Sequence, residues 1–218
     1  QDPAHECEGC VVSAGTVVAG VDVSRETLDR LEQFAALLVK WNPAINLVAR
    51  STIEDLWARH ILDSVQLAPF LDRLPGTWLD LGSGGGLPGL VLAIVSNEVS
   101  PNTRFELVDS DQRKCTFLRQ AARELELRNV CVHSVRIEEL KPMSADVVSA
   151  RALSNLSVLC GYAAKHLSSG GFAVFPKGAA YLDEVHEARN TWRFHIEEIE
   201  SMTNKDARLL KLSAIEHV

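Results

Sequence analysis

The sequence predicts an α/β fold: a mainly parallel seven-stranded sheet with helices on both faces and an N-terminal helical extension. Three observations predict it. From Thr77 onward, short apolar runs alternate with segments of helical periodicity, the pattern of a doubly wound sheet. The first run ends in a turn with five glycines in eight residues, Gly82 to Gly89, which opens a helix. The last two runs have only a turn, Asn204 to Asp206, between them, so they close the sheet as an antiparallel pair.

Each element follows from local pattern. Residues 1–23 are small and polar, with Gly9, Gly15 and Gly20, and are expected to form a flexible tail. Ser24 is placed to cap a helix in which Leu28, Leu31, Phe34, Ala35, Leu38 and Trp41 recur at helical spacing. Asn42-Pro43 is expected to end it. Thr52 to Asp55 resembles a capping box ahead of a second helix carrying Ile53, Leu56, Trp57, Ile61, Val65 and Ala68. Residues 24–72 are thus a helical section, closed by Pro75-Gly76, and 73–218 the main domain. Its strands are expected at Trp78 to Leu81, Phe105 to Val108, Val130 to Val135, Ala145 to Ala150, Phe172 to Phe175, Phe194 to Ile199 and Leu209 to Ile215. Its helices are expected at Pro88 to Asn97, Asp111 to Leu127, Asn155 to Leu167 and Tyr181 to Thr191, the third stopped by Gly170-Gly171.

Bulk properties bound the function. The 218 residues are 46% hydrophobic and 23% charged, ordinary for one globular domain with a small extension. The net charge of −7 argues against a free-standing nucleic-acid binder, although the acids crowd the ends (Glu6, Glu8, then Asp183 to Glu200) and the middle is rich in arginine. Five scattered cysteines read as reduced thiols of the cytoplasm. Cys7 and Cys10 form a CxxC, but no second CxxC or histidine pair stands at zinc spacing, so no metal site is expected. Neither a membrane-length apolar run nor a signal peptide is found, so no membrane partner is expected.

The chemistry centres on Leu79 to Gly89. Glycines bring backbone close to a ligand, and the helix start adds free N–H groups. Two registers compete. Gly84-x-Gly86-x-x-Gly89 matches the dinucleotide fingerprint. Alternatively Asp80 ends the strand and Gly82-x-Gly84-x-Gly86 follows. An acid there repels a pyrophosphate and suits the ammonium and sulfonium of S-adenosylmethionine. The second register is preferred, which makes S-adenosylmethionine the expected cofactor and a Rossmann-like class I methyltransferase the expected fold. Asp109, ending the second strand, stands at about the ~20-residue distance from the loop at which an acid accepts ribose hydroxyls; it equally suits a helix N-cap. Ile137 and Glu138, after the third strand, read either as adenine contacts or as an exposed helical turn. Arg136, Arg151 and Lys177 follow strand ends, the side of such a sheet where ligands bind, and are the candidates for gripping an acceptor. His60, Asp63 and Asn46 fit a covering helix near the site or simple helix packing; Trp41, Trp57 and Phe175 read as core.

Several motifs occur in fixed order: Asn42 to Asn46 (NPAIN), Arg59 to Ser64 (RHILDS), Leu79 to Gly89 (LDLGSGGGLPG), Val108-Asp109-Ser110, Phe117-Leu118-Arg119 and Ser149 to Ala152 (SARA). Together they resemble the bacterial small-subunit ribosomal RNA guanine-N7 methyltransferases of the glucose-inhibited division protein B type, over about Leu28 to Lys177. Departures are Gly85, where Pro or Ala is expected, and Ala150, where Ser is common; the chain beyond Gly178 matches poorly. The resemblance implies methyl transfer from S-adenosylmethionine to N7 of one guanine in 16S ribosomal RNA. It also implies donor contacts at Gly82, Leu87, Ile137, Glu138 and Arg151. Guanine N7 offers an in-plane lone pair and no proton, so no general base is required. The expected partner is 16S rRNA within a small subunit or assembly intermediate, with no DNA partner and a monomeric enzyme. Three other readings stay open: a nicotinamide oxidoreductase, for which no hydride site is found; a non-catalytic RNA-binding assembly factor; and a methyltransferase with another acceptor.

Overall fold

A computed structural model describes residues 16–73 and 76–218. Cys7 and Cys10 lie outside them. The N-terminal expectation is corrected in part, because Thr16–Val18 (β1) and Val21–Val23 (β2) form a hairpin. Ala19 and Gly20 both take positive φ, as a two-residue hairpin turn demands. Val18 and Val23 are buried, so two valines in a polar stretch tie it to the core.

Helix α1 (Arg25–Ile45) starts where expected, with Ser24 Oγ accepting from Thr27 N at 3.2 Å. It does not stop at Pro43. Asn42 turns inward, its Oδ1 accepts from Val48 N at 2.8 Å, and the left-handed Asn46 caps the helix instead. The expected second helix is broken into pieces. A 3₁₀ turn (Arg50–Thr52), a π-helical turn (Trp57–Leu62), the short α2 (Asp63–Val65) and a second 3₁₀ turn (Ala68–Arg73) follow one another. The wider turn brings His60 and Ile61 to the inside.

The sheet holds β3 (Thr77–Leu81), β4 (Arg104–Asp109), β5 (Val130–Ser134), β6 (Ala145–Ala150), β7 (Leu167–Lys177), β8 (Trp192–Glu200) and β9 (Arg208–His217). Their order is β5-β4-β3-β6-β7-β9-β8; five are parallel, and β9 runs antiparallel to β7 and β8. Helices α3 (Gly89–Val99), α4 (Gln112–Glu124), α5 (Leu156–His166) and α6 (Tyr181–Ala188) make the crossovers. Asp111 and Asn155 cap α4 and α5. Gly170-Gly171 does not end α5: β7 begins at Leu167 and runs through both glycines. A Cβ on Gly171 would lie 2.9 Å from the Ala145 carbonyl oxygen, so a glycine there lets β6 and β7 meet.

Two cores flank the sheet. One joins Leu31, Phe34 and Leu38 of α1 to α3, α4, Trp78 and Leu107; Trp41 and Trp57 pack on it. The other gathers Leu79, Val108, Ile137, Phe175 and the α5 and α6 side chains. Trp41, Trp57 and Phe175 therefore serve packing, as their sequence positions led one to expect.

Candidate active site

The glycine turn is built from beneath by polar contacts. Gly82, Gly84 and Gly86 take φ of +64°, +53° and +80°. That is the register counted from Asp80; Gly89 is needed for another reason, since its Cβ would fall 2.3 Å from Leu107 Cδ2 and 2.7 Å from Asp80 Oδ2. Gly89 is thus the close-packing glycine between helix and strand. Asp80 is fully buried, which corrects its expected role at the ligand. Its Oδ2 accepts from Gly89 N at 3.2 Å and its Oδ1 from Ser149 Oγ at 2.7 Å, while Ser149 Oγ accepts from Trp78 Nε1 at 2.8 Å. The carboxylate ties the helix start to β3 and β6. Ser83 adds a second stitch, its N donating to Val108 O and its Oγ accepting from Val108 N.

A cavity of about 350 Å³ opens above this turn, lined by Gly82, Asp109, Ser110, Lys114, Arg136, Ile137, Glu138, Ala152, Leu153 and Tyr162. Four expected donor residues, Gly82, Asp109, Ile137 and Glu138, are among them. Asp109 Oδ2 accepts from Gly84 N at 2.9 Å and Oδ1 from Asp111 N at 2.8 Å; each oxygen has capacity for one further hydrogen bond. Glu138 accepts from Tyr162 Oη at 2.5 Å, and this bond holds its carboxyl below the usual range. Arg151, expected among the donor contacts, does not line this cavity, and neither do Asp80, Gly84, Gly86 and Leu87. These last four shape the turn from below, Leu87 being packed into the core. Lys114, Leu153 and Tyr162 escaped the sequence reading, and Ser110 entered it only as part of the Val108-Asp109-Ser110 motif. Nothing local marks those side chains.

A larger cleft, about 920 Å³, adjoins this cavity and shares Ala152 and Leu153 with it. Leu153 lies over Gly82, its Cδ1 2.6 Å from where a Gly82 Cβ would stand, and Ala152 takes a left-handed φ of 52°. Arg151 lines the cleft. Its Nη1 meets His60 Nδ1 at 3.0 Å, Asp63 Oδ2 at 3.3 Å and the Arg59 carbonyl at 3.4 Å. Burial, and then the Arg151 charge, pull the His60 pKa down to about 4, so the ring is neutral at neutral pH. Arginine only donates, so Nδ1 must accept and Nε2 carries the hydrogen. Nε2 then donates to Thr52 Oγ1 at 2.8 Å, which donates to the Ala49 carbonyl at 2.7 Å. Asp63 is held by Gln66 Nε2 and Thr203 Oγ1, both at 2.8 Å. The broken helix thus presents His60 and Asp63 as a clamp on Arg151.

The three strand-end cations do not converge. Arg136 follows β5, separated from β6 by β4 and β3; its side chain is exposed, lines the smaller cavity and stands 3.8 Å from Glu138. Lys177 does reach the large cleft, but its Nζ donates to Ser154 O and Glu184 Oε2, both at 2.7 Å, with only 10% of its side chain exposed. It braces the wall behind Arg151. Asn46 caps α1 and does not line either cavity. Thr203, Asn204 and Ala207, from the tail that the motifs did not cover, line the cleft beside Asp63.

Asp80 and His60 set opposing pH dependences. Burial raises the Asp80 pKa from 3.8 to about 6, so between about pH 4 and 6 the folded chain binds this proton and the unfolded chain does not. Stability from this group falls as pH rises. His60, lowered to about 4, is unprotonated in the folded chain over the same range, and stability from it rises with pH. In Asp80→Asn only the second effect remains. Denaturant titrations from pH 4 to 6 should show stability rising more steeply than wild type, by about 1.4 kcal/mol per pH unit. Identical slopes would contradict a buried, titrating Asp80.

The fold, the turn register and the acid ending β4 define a class I methyltransferase that depends on S-adenosylmethionine. The family described as rRNA small subunit methyltransferase G matches residues 27–212, and the chain belongs to it. It is 52% identical over 203 residues to the ribosomal RNA small subunit methyltransferase G of Cereibacter sphaeroides, covering 93% of this chain and 98% of that protein. The protein of the same name from Ruegeria sp. is 54% identical over 200 residues, covering 91% and 96%. Among solved structures, a ribosomal protein L11 methylase from Lactobacillus delbrueckii subsp. bulgaricus superposes with a TM-score of 0.56 at 14% identity, over 71% of this chain and 78% of that one. Aeropyrum pernix fibrillarin, solved with natively bound S-adenosyl-L-methionine, gives 0.55 at 16% identity, over 72% and 75%. These two likenesses show the fold.

Proposed function

We propose that this protein transfers the methyl group of S-adenosylmethionine to N7 of a guanine in 16S ribosomal RNA. The observation that carries the reading is the junction of the two cavities at Ala152 and Leu153, with the glycine turn on one side and the clamped Arg151 on the other. The residues of the smaller cavity fit the donor. Asp109 has lone pairs for the ribose hydroxyls, Ile137 and Leu153 offer apolar walls to adenine, and the turn brings backbone close at Gly82. Bound there, S-adenosylmethionine supplies an electrophilic methyl group on a sulfonium.

The chain's own task is then positioning. Guanine N7 attacks with its in-plane lone pair and loses no proton, so no base is needed. His60 is unsuited to that role in any case, since both ring nitrogens are engaged. Arg151 takes the acceptor side: its fork suits guanine O6 or a flanking phosphate. We assign residues 24–72 a functional part as well, as the wall that aims Arg151, and residues 73–218 the donor site.

The acidic net charge of −7 supports a partly assembled small subunit over naked RNA as substrate. Among the described residues no helix is long and apolar enough to cross a membrane. A cytoplasmic monomer is the arrangement we propose. Radiolabelled methyl transfer to small subunits from cells lacking this protein should place label in 7-methylguanosine of the 16S RNA. Absence of RNA label, with donor binding intact by calorimetry, would move the activity to another acceptor. Equal labelling of protein-free RNA would refute the assembled-subunit substrate.

A further inference from the structure

The outer edge of the sheet carries side chains that methyl transfer does not use. In the parallel pair β4–β5, Glu106 lies opposite Cys131 and Val108 opposite His133. Side chains alternate across a sheet, so Glu106, Cys131 and His133 leave the same face. Glu106 is 4% exposed. Its Oε1 accepts from Arg104 Nη2 at 3.0 Å and its Oε2 lies 2.7 Å from His133 Nε2. A sulfur of Cys131, a ring nitrogen of His133 and a carboxylate oxygen of Glu106 all fall within 4.8 Å of one another.

We propose that Glu106, Cys131 and His133 form a binding site for a zinc-like divalent cation. A thiolate, an imidazole and a carboxylate are the donor types zinc takes, and three protein ligands leave a fourth, open position for water. With metal–ligand bonds of about 2.0–2.3 Å, donor atoms in a tetrahedral site stand roughly 3.5 Å apart. Arg104 keeps Glu106 Oε1, and the cation takes Oε2. Burial and the Glu106 charge raise the Cys131 pKa, so the metal-free thiol holds its proton. Binding releases that proton to solvent, and the hydrogen of the histidine ring ends on the nitrogen that does not face the metal. The expectation of no metal site rested on sequence spacing. Glu106 reaches the other two only through strand pairing, which leaves no spacing to read.

The cation would fasten the edge strand β5 to β4. The residues just beyond β5, Arg136 to Glu138, line the donor cavity, so the site braces the strand that leads into it. The test uses the full chain carrying Cys7→Ser and Cys10→Ser, which removes the CxxC as a competing metal ligand. Cobalt(II) is titrated into chelator-treated protein. Thiolate-to-cobalt charge transfer and tetrahedral d–d bands should appear, saturate at one ion per chain and be bleached by zinc. Adding Cys131→Ser should abolish the charge-transfer band, and adding His133→Gln should weaken binding, each with an unchanged circular dichroism spectrum. No band in the Cys7→Ser, Cys10→Ser protein overturns the site. So does a band that survives Cys131→Ser, or affinity unaltered by His133→Gln.

Discussion

Arg151→Ala lowers methyl transfer to small-subunit RNA about 100-fold, the scale expected when a reacting group loses its positioning. All of the Arg151 contacts given by the structure use Nη1, which leaves Nη2 and Nε as donors for an acceptor in the cleft. The fold should survive the change. Arg151 and Asp63 are 18% and 19% exposed, and Asp63 keeps Gln66 and Thr203 when the arginine is gone. Breaking this largely buried pair and leaving His60 Nδ1 without its donor is therefore worth about 1–3 kcal/mol, a Tm shift of about 2–12 °C. Arg151→Lys should recover little, because a lysine keeps the charge and loses the planar fork. Transfer kinetics and a thermal melt decide the matter together. Activity within about three-fold of wild type would remove Arg151 from the site, and a collapsed melt would make its effect structural.

Gly89→Ala costs about 3 kcal/mol of stability, the upper end of core overpacking, and lowers Tm by about 6–12 °C. The added methyl would sit 2.3 Å from Leu107 Cδ2 and 2.7 Å from Asp80 Oδ2, one a buried core atom and the other the carboxylate that caps the helix start. Leu107 can retreat only by rotating its side chain inside a packed core, and Asp80 only by breaking the Gly89 N–H bond. Because the turn hangs from that bond, donor affinity should fall as well. A melt within about 2 °C of wild type would show that the helix accommodates the methyl and that Gly89 is not the packing residue the geometry makes it.

These two positions show how unevenly the site can be read in a sequence. Gly89 belongs to the dinucleotide register, yet its role is packing; the three left-handed glycines follow the other register, counted from Asp80. Asp80 was legible as special and misread in role, because a strand-end acid looks the same whether it faces a ligand or a helix start. Gly82, Asp109, Ile137 and Glu138 were legible because each follows a strand end, and a parallel sheet gathers its strand ends on one side. The same rule brings Arg136 to the smaller cavity, and strand order keeps it out of the larger cleft that Arg151 lines. Lys177 stands in the right cleft but is bound to Glu184 and Ser154, partners that local sequence does not reveal.

Local interactions acted within a few residues, and those the sequence by itself determined: the cap at Ser24, the strand Ala145–Ala150, the glycine turn and the closing antiparallel pair, whereas the cap of α4 falls to Asp111 and not to Asp109. Tertiary structure alone decided the rest. Burial of Asn42 carried α1 past a proline, packing of His60 and Ile61 opened a π-turn, and close approach of β6 to β7 placed two glycines inside a strand. The Arg151 clamp draws on residues 52 to 203, and the Glu106, Cys131 and His133 group exists only through strand pairing. Periodicity and capping energies are set by near neighbours. Which charge meets which, and what is denied water, depends on strand order and on helices packed from far along the chain.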